Sequence, residues 1–206
     1  VDEAHHALAR TYLQVVNASP RARVLGVTAT PSRLDGKGLG DLFDELLTGP
    51  SVQALTDAGY LAPAVVYAPS TIDTSNVRTV AGDWQKSQLS VAADRPTITG
   101  CAIEHYRRLA DGVPAIAFCV SVAHAQHVAA QFRAAGYSAR CVDGNTPQAD
   151  RDGAIAGLAR GTLDVLTSCE IISEGVDVPV VGCGILLRQT KSTSLALQQM
   201  GRILRP

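Results

Sequence analysis

The chain has 206 residues, 46% of them hydrophobic, and a formal net charge of −1. That is ample material for a buried core, without the charge excess of a strongly basic nucleic-acid module. No run approaches the length of a membrane span, no secretory leader pattern is visible, and the five cysteines (Cys101, Cys119, Cys141, Cys169, Cys183) include no Cys-x-x-Cys pair, so the expectation is a cytoplasmic protein with reduced thiols rather than a membrane protein, disulfide frame or zinc ribbon.

The opening residues, Val1-Asp2-Glu3-Ala4-His5-His6, set two adjacent carboxylates close before a histidine. In nucleoside-triphosphate enzymes an Asp at a strand end holds the Mg²⁺ that bridges the phosphates, and a neighbouring Glu can polarise the attacking water. The plainer alternative is a charged helix start, where acidic residues are favourable in any case. A zinc-protease reading fails, because Glu3-Ala4-His5-His6 lacks His-Glu-x-x-His spacing. Asp2 arrives without the strand that ought to position it, so the chain is expected to be a fragment.

Apolar spacing predicts a helix over 6–16 through Leu8, Tyr12, Val15 and Val16, ended by Ser19-Pro20. Residues 23–28 read as a buried parallel strand that delivers Thr28-Ala29-Thr30 at its C-terminal end, where open α/β sheets bind ligands. The Gly-rich loop 31–40 fails as a phosphate cradle: Gly36-Lys37 is followed by Gly38 instead of Ser or Thr, and Pro31 occupies the first glycine position. No other Gly-Lys pair occurs. Helical patterns over 39–47 and 51–58 precede an expected strand at 65–67. Residues 69–95, rich in Ser, Thr, Asp and Asn, read as a connector without regular structure.

From Pro96 a βα rhythm begins. It predicts helices over 97–110, 122–135 (capped by Ser121) and 147–159, with a last helix from 193 or 194. Strands are expected at 115–120, 138–142, 163–167 and 182–187. Such alternation implies a parallel sheet covered on both faces. The segment Ser173-Glu174-Gly175-Val176-Asp177-Val178-Pro179 falls between the last two strands. The chain closes on Gln198-Gln199-Met200-Gly201-Arg202-Ile203-Leu204-Arg205-Pro206, whose two arginines, three apart, share one helix face. Arginine forks suit phosphate oxygens.

Asp2-Glu3-Ala4-His5, Thr28-Ala29-Thr30, the Gly175–Asp177 segment and the Gln198–Arg205 segment, in this order, resemble the superfamily 2 helicases of the DEAD/DEAH-box group. The likeness is greatest to the bacterial and phage DNA-helicase branch that includes RadD-like and XPB-like proteins. The resemblance implies an α/β fold of two RecA-like parallel-sheet lobes: a first lobe over 1–68, truncated at its N-terminus, a connector over 69–95, and a nearly complete second lobe over 96–206. It implies ATP and Mg²⁺ as cofactors. Asp2 would hold the Mg²⁺, Glu3 would act on the hydrolytic water, and His5 would couple the nucleotide to the other lobe, its ring reaching toward Gln198. Thr28 and Thr30 would link hydrolysis to strand movement. Gly175 and Asp177 would approach the nucleotide from the second lobe, and Arg202 and Arg205 would neutralise charge on the γ-phosphate. Ser121, Arg151, Thr167 and Ser168 match phosphate-contacting positions, which implies a DNA partner gripped with little base specificity, with RNA as the other possible track. Each hydroxyl has a competing reading as a helix cap.

Three functions therefore stand at this stage: an ATP-driven DNA helicase or translocase, an ATPase-inactive remnant that binds nucleic acid or a partner, and the motor part of a restriction or remodelling enzyme.

Overall fold

A computed structural model describes residues 1–31, 38–68, 72–80, 82–169, 181–201 and 203–204. The chain enters through a single 3-10 turn, Ala4–His6, followed by helices α1 (Arg10–Asn17) and α2 (Val52–Asp57). The strand expected at 23–28 is present only as a backbone pairing. Val1 N donates to the Leu25 carbonyl at 2.7 Å, and Val27 N donates to the Val1 carbonyl at 2.9 Å. One residue thus bridges two carbonyl-offset partners, as in a parallel ladder. Gly26 lies opposite Val1, and a Cβ there would come within 2.8 Å of Ala4 Cβ and 2.5 Å of the Phe43 ring.

The rest of this N-terminal segment departs from expectation. No regular sheet, no helix over 39–47 and no strand at 65–67 occurs among the described residues. The periodicity is genuine, but no described element covers it: Leu25 is 76% exposed, Val15 72% and Val66 80%. Most stability in a strand or helix comes from burying its apolar face, and these faces are open.

Residues 72–95 are a correction in the opposite direction. They form an antiparallel hairpin of β1 (Thr79–Val80) and β2 (Asp83–Trp84), then α3 (Lys86–Ala93). Gly82 supplies the positive φ of 88° in the two-residue turn. Ile72, Val77, Leu89 and Ala93 pack with Val120, and Trp84 and Ile98 lie against them. The segment is part of the C-terminal body, not a free connector. Its apolar residues are too sparse to show a period in sequence.

The C-terminal body follows the predicted rhythm closely. It comprises α4 (Pro96–Leu109), β3 (Ala115–Phe118), α5 (Val122–Ala134), β4 (Ala139–Val142), α6 (Gln148–Ala159), β5 (Val165–Ser168), β6 (Cys183–Leu186) and α7 (Thr193–Gly201). The four strands form one wholly parallel sheet in the order β4-β5-β3-β6. This is an α/β arrangement, a parallel sheet with helices on both faces.

Alternation along β3 explains why its sequence reads as a continuous apolar run. Ala115, Ala117 and Cys119 join one core with α4 and α5; Ile116 and Phe118 join a second core with Ala154 and Leu158 of α6. Both faces are covered, so neither phase of the period-2 pattern can be polar. Pro96 opens α4, where a missing N–H costs nothing. The helix buries Thr99, Ile103 and Tyr106 at i, i+4 and i+7. Phe132 is fully buried and meets Tyr106 and Tyr137 edge-on, with centroids 5.8 and 6.0 Å away. A Cβ on Gly184 would overlap Ile203, so glycine at this point of β6 admits the segment after α7 against the sheet. Burial raises the thiol pKa values of Cys119, Cys141 and Cys183, and all five cysteines are free.

Phe132→Ala removes the ring at the centre of the first core. The expected loss is about 3–5 kcal/mol of unfolding free energy, measured by urea denaturation.

Candidate functional site

The N-terminal signature is organised around His5, which is 6% exposed. Its Nδ1 lies 3.0 Å from Thr28 Oγ1 and 3.3 Å from Glu3 Oε2. Thr28 Oγ1 donates to the Thr30 carbonyl at 3.1 Å and accepts from the Thr30 N–H at 3.1 Å. With its one hydrogen committed to Thr30, the Thr28 hydroxyl meets the imidazole as an acceptor, so Nδ1 carries a proton. On the other side of the ring, Nε2 lies 3.4 Å from Gln198 Nε2 on α7. An amide NH₂ is a donor, so in this orientation of Gln198 the imidazole Nε2 accepts, which pairs with a proton on Nδ1. Residues 3, 5, 28, 30 and 198, from three separate stretches, form one connected polar group.

Glu3 has φ 48° and ψ 52°, and is the non-glycine residue with positive φ among those described. A left-handed glutamate is sterically costly and marks a position held by its surroundings. Its N–H donates to Asp2 Oδ1 at 2.9 Å, and the Ala4 N–H donates to the Val27 carbonyl at 3.0 Å. The turn keeps the Glu3 carboxylate beside the histidine while Asp2 remains at the surface. Thr30 is 3% exposed, and its Oγ1 has no hydrogen-bond partner among the described residues. A second link to the C-terminal body runs from the Ala62 N–H to the Leu204 carbonyl at 2.8 Å.

Arg202, Arg205, Gly175 and Asp177 lie outside the described residues. Of the four phosphate-contact candidates, Ser121, Thr167 and Ser168 lie at or just past strand ends of the second body and Arg151 in the first turn of α6. Ser121 caps α5, accepting from the His124 N–H at 3.2 Å, and its Oγ lies 2.7 Å from Ser90 Oγ. Arg151 is half-buried and donates through Nη2 to the Thr146 carbonyl at 3.1 Å. Ser168 is 2% exposed, its hydroxyl without a partner among the described residues. Thr167 is fully buried and donates to the Ala125 carbonyl at 2.7 Å. It pairs in register with Ala117 and faces α5; its side chain serves the core and offers nothing to a strand of nucleic acid.

The residues matched by a known family coincide with this body and its partner segment. The family described as "Helicase conserved C-terminal domain" matches residues 101–206. The chain belongs to this helicase C-terminal-domain family. Residues 1–33, the segment carrying Asp2 to Thr30, match the family "Type III restriction enzyme, res subunit". Among relatives, a 51.5 kDa protein of Lactococcus phage (isolate 7-9) is 37% identical over 204 residues, covering 99% of this chain and 45% of its own length. The Saccharomyces cerevisiae protein IRC3, named as an ATP-dependent helicase, is 30% identical over 215 residues, covering 100% of this chain and 31% of its own. The chain described here thus spans less than half the length of these relatives. A structure of the RNA helicase Prp28 from Chaetomium thermophilum bound to ADP overlaps 53% of this chain and 27% of its own at 21% identity, with a TM-score of 0.49.

Sequence reading missed His124, whose signal is only a histidine inside an otherwise apolar helix face. It is fully buried, its Nδ1 accepts from the Val120 N–H at 3.3 Å, and its Nε2 has no partner among the described residues. Desolvation lowers its pKa from the ordinary 6.5, opposed by Asp94 and aided by His127. Above pH 6.5 the ring is neutral whether the chain is folded or not. As pH falls through 6.5, the unfolded chain takes up a proton that the folded chain refuses, so stability declines until the lowered folded pKa is reached. Urea denaturation at pH 8 and pH 5.5 should show this decline in the wild type. The His124→Gln variant, compared across the same two pH values, should lose that part of it.

Proposed function

We propose that the chain is the part of an ATP-dependent DNA helicase or translocase in which nucleotide hydrolysis is coupled between two lobes. The observation that carries this reading is the hydrogen-bonded series Glu3–His5–Gln198, which joins the acidic N-terminal signature to a helix of the C-terminal body. The residues present suit Mg²⁺–ATP. Mg²⁺ takes oxygen ligands, commonly one or two carboxylates together with substrate phosphates and water, and Asp2 offers an exposed carboxylate at the mouth of this group. Bound there, the metal would neutralise charge on the phosphates.

In this reading Asp2 holds the ion and Glu3 orients and polarises the attacking water. Gly175 and Asp177 approach the nucleotide from the C-terminal body. Arg202 and Arg205 stabilise the charge that develops on the γ-phosphate. Thr28, with Thr30 at its back, holds the imidazole proton on Nδ1, and Nε2 accepts from Gln198 when the second body is close. Ser121, Arg151 and Ser168 remain the candidates for phosphate contacts to a DNA strand. Such contacts position a backbone without reading bases; similarity to a phage protein and to a named helicase supports a nucleic-acid track, and the branch resemblance favours DNA over RNA.

Arg202→Ala in the intact protein should reduce nucleic-acid-stimulated ATP hydrolysis by about 10³–10⁵-fold, the usual worth of an arginine finger, and Glu3→Gln should also abolish turnover. Wild-type rates in both variants would remove the motor reading.

A second reading has one specific observation in its favour: these 206 residues contain no Gly-Lys-Ser/Thr phosphate loop. By itself the chain would then act as a nucleic-acid- or partner-binding module without ATPase activity. Isothermal titration of the 206-residue chain with Mg²⁺–ATP is expected to show no micromolar binding. A micromolar dissociation constant would overturn that expectation.

A further inference from the structure

The hairpin β1–β2 and the start of α7 are over a hundred residues apart in sequence, yet they are tied by consecutive hydrogen bonds. Asp83 Oδ1 accepts from the Lys191 N–H at 2.7 Å, and Asp83 Oδ2 accepts from Thr190 Oγ1 at 2.8 Å. Thr190 Oγ1 in turn accepts from the Ser192 N–H at 3.0 Å. Ser192, 7% exposed, accepts from the Leu195 N–H through its own hydroxyl at 3.3 Å. That is the N-cap to N3 geometry that starts a helix. Lys191 closes the joint from outside: its Nζ lies 3.8 Å from the centroid of the Trp84 ring and donates to Thr79 Oγ1 at 2.6 Å. Trp84 rests against the Val77, Leu89 and Val120 cluster, so the joint is anchored to the body of the sheet and not to a loose loop.

Gln198 lies six residues beyond Ser192, about 9 Å along a helix at 1.5 Å per residue. A shift in where α7 begins is therefore transmitted to Gln198. We propose that Asp83 is a positioning residue for the motor cycle: through Thr190 and Ser192 it fixes the start of α7, and thereby the place where Gln198 meets His5. The proposal rests on the reading of the His5–Gln198 contact as the coupling between lobes. Aspartate suits the task for two reasons. Its two oxygens satisfy three donors at once, the Lys191 and Trp84 N–H groups and the Thr190 hydroxyl, and its charge lies near the positive end of α7. Asparagine keeps one acceptor oxygen and loses the charge; alanine leaves all three donors without this partner.

The test is the state of the His5 imidazole, read by ¹⁵N NMR in the 206-residue chain and assigned by the loss of its signals in His5→Gln. The wild type should show the Nδ1–H tautomer with Nε2 accepting a hydrogen bond. Asp83→Ala should weaken the hydrogen bond to Nε2 and move its ¹⁵N resonance toward that of an imidazole acceptor without a hydrogen bond, while amide signals of β3 and α5 stay in place. Asp83→Asn should move it by less in the same direction. Thr190→Val, which removes only the bridging hydroxyl, should reproduce the Asp83→Ala shift and decides the matter if Asp83→Ala fails to fold. His5 signals in Thr190→Val identical to the wild type would overturn the proposal. Loss of the motor reading would show instead as unchanged ATP hydrolysis in Glu3→Gln, which leaves this NMR result standing as a structural coupling without a cycle to serve.

Discussion

A neutral imidazole has one proton to give and one lone pair to offer, and His5 uses both on different parts of the chain. Thr28 decides which nitrogen keeps the proton, because its own hydrogen is committed to the Thr30 carbonyl. The opposite nitrogen is left as an acceptor for the Gln198 amide. The arrangement is therefore directional: a change at Glu3 or Thr28 that moved the proton to Nε2 would set that N–H against the donor face of Gln198. A buried group held by Thr28, Glu3 and Gln198 has few alternative states, and it joins two parts of the chain far apart in sequence.

The C-terminal body was legible in the sequence because its physics is local and redundant. Each strand is buried on both faces, each helix carries an apolar stripe, and Pro96 and Ser121 mark helix starts by their own chemistry. The N-terminal segment was legible as a set of motifs but not as elements. Its apolar periodicity at Leu25, Val27, Val65 and Val66 exists without a covering layer, and a pattern of residues specifies a strand only when something packs against it. The hairpin of Thr79–Val80 and Asp83–Trp84 was illegible for the reverse reason. Two-residue strands have no period, and what holds them is contact with Thr190 and Lys191, a separation no local pattern can express.

The hydroxyl residues at the strand ends show where motif matching stops. Ser121 and Thr167 occupy comparable positions by sequence, but side-chain direction in a strand reverses at every residue. Register with Ala117 turns Thr167 inward onto the Ala125 carbonyl, and Ser168, one residue later, faces the other layer. Which hydroxyl can meet a ligand is decided by pairing with a neighbouring strand, information that lies about fifty residues away in the chain.

Among the contacts between the N-terminal segment and the C-terminal body are the hydrogen bonds from Gln198 to His5 and from Ala62 to Leu204. Bonds of this kind are each worth about 0.5–1.5 kcal/mol net of competition with water. A joint built from such pieces is a clutch and not a weld: it holds the two parts together while engaged, and random thermal agitation suffices to disengage it.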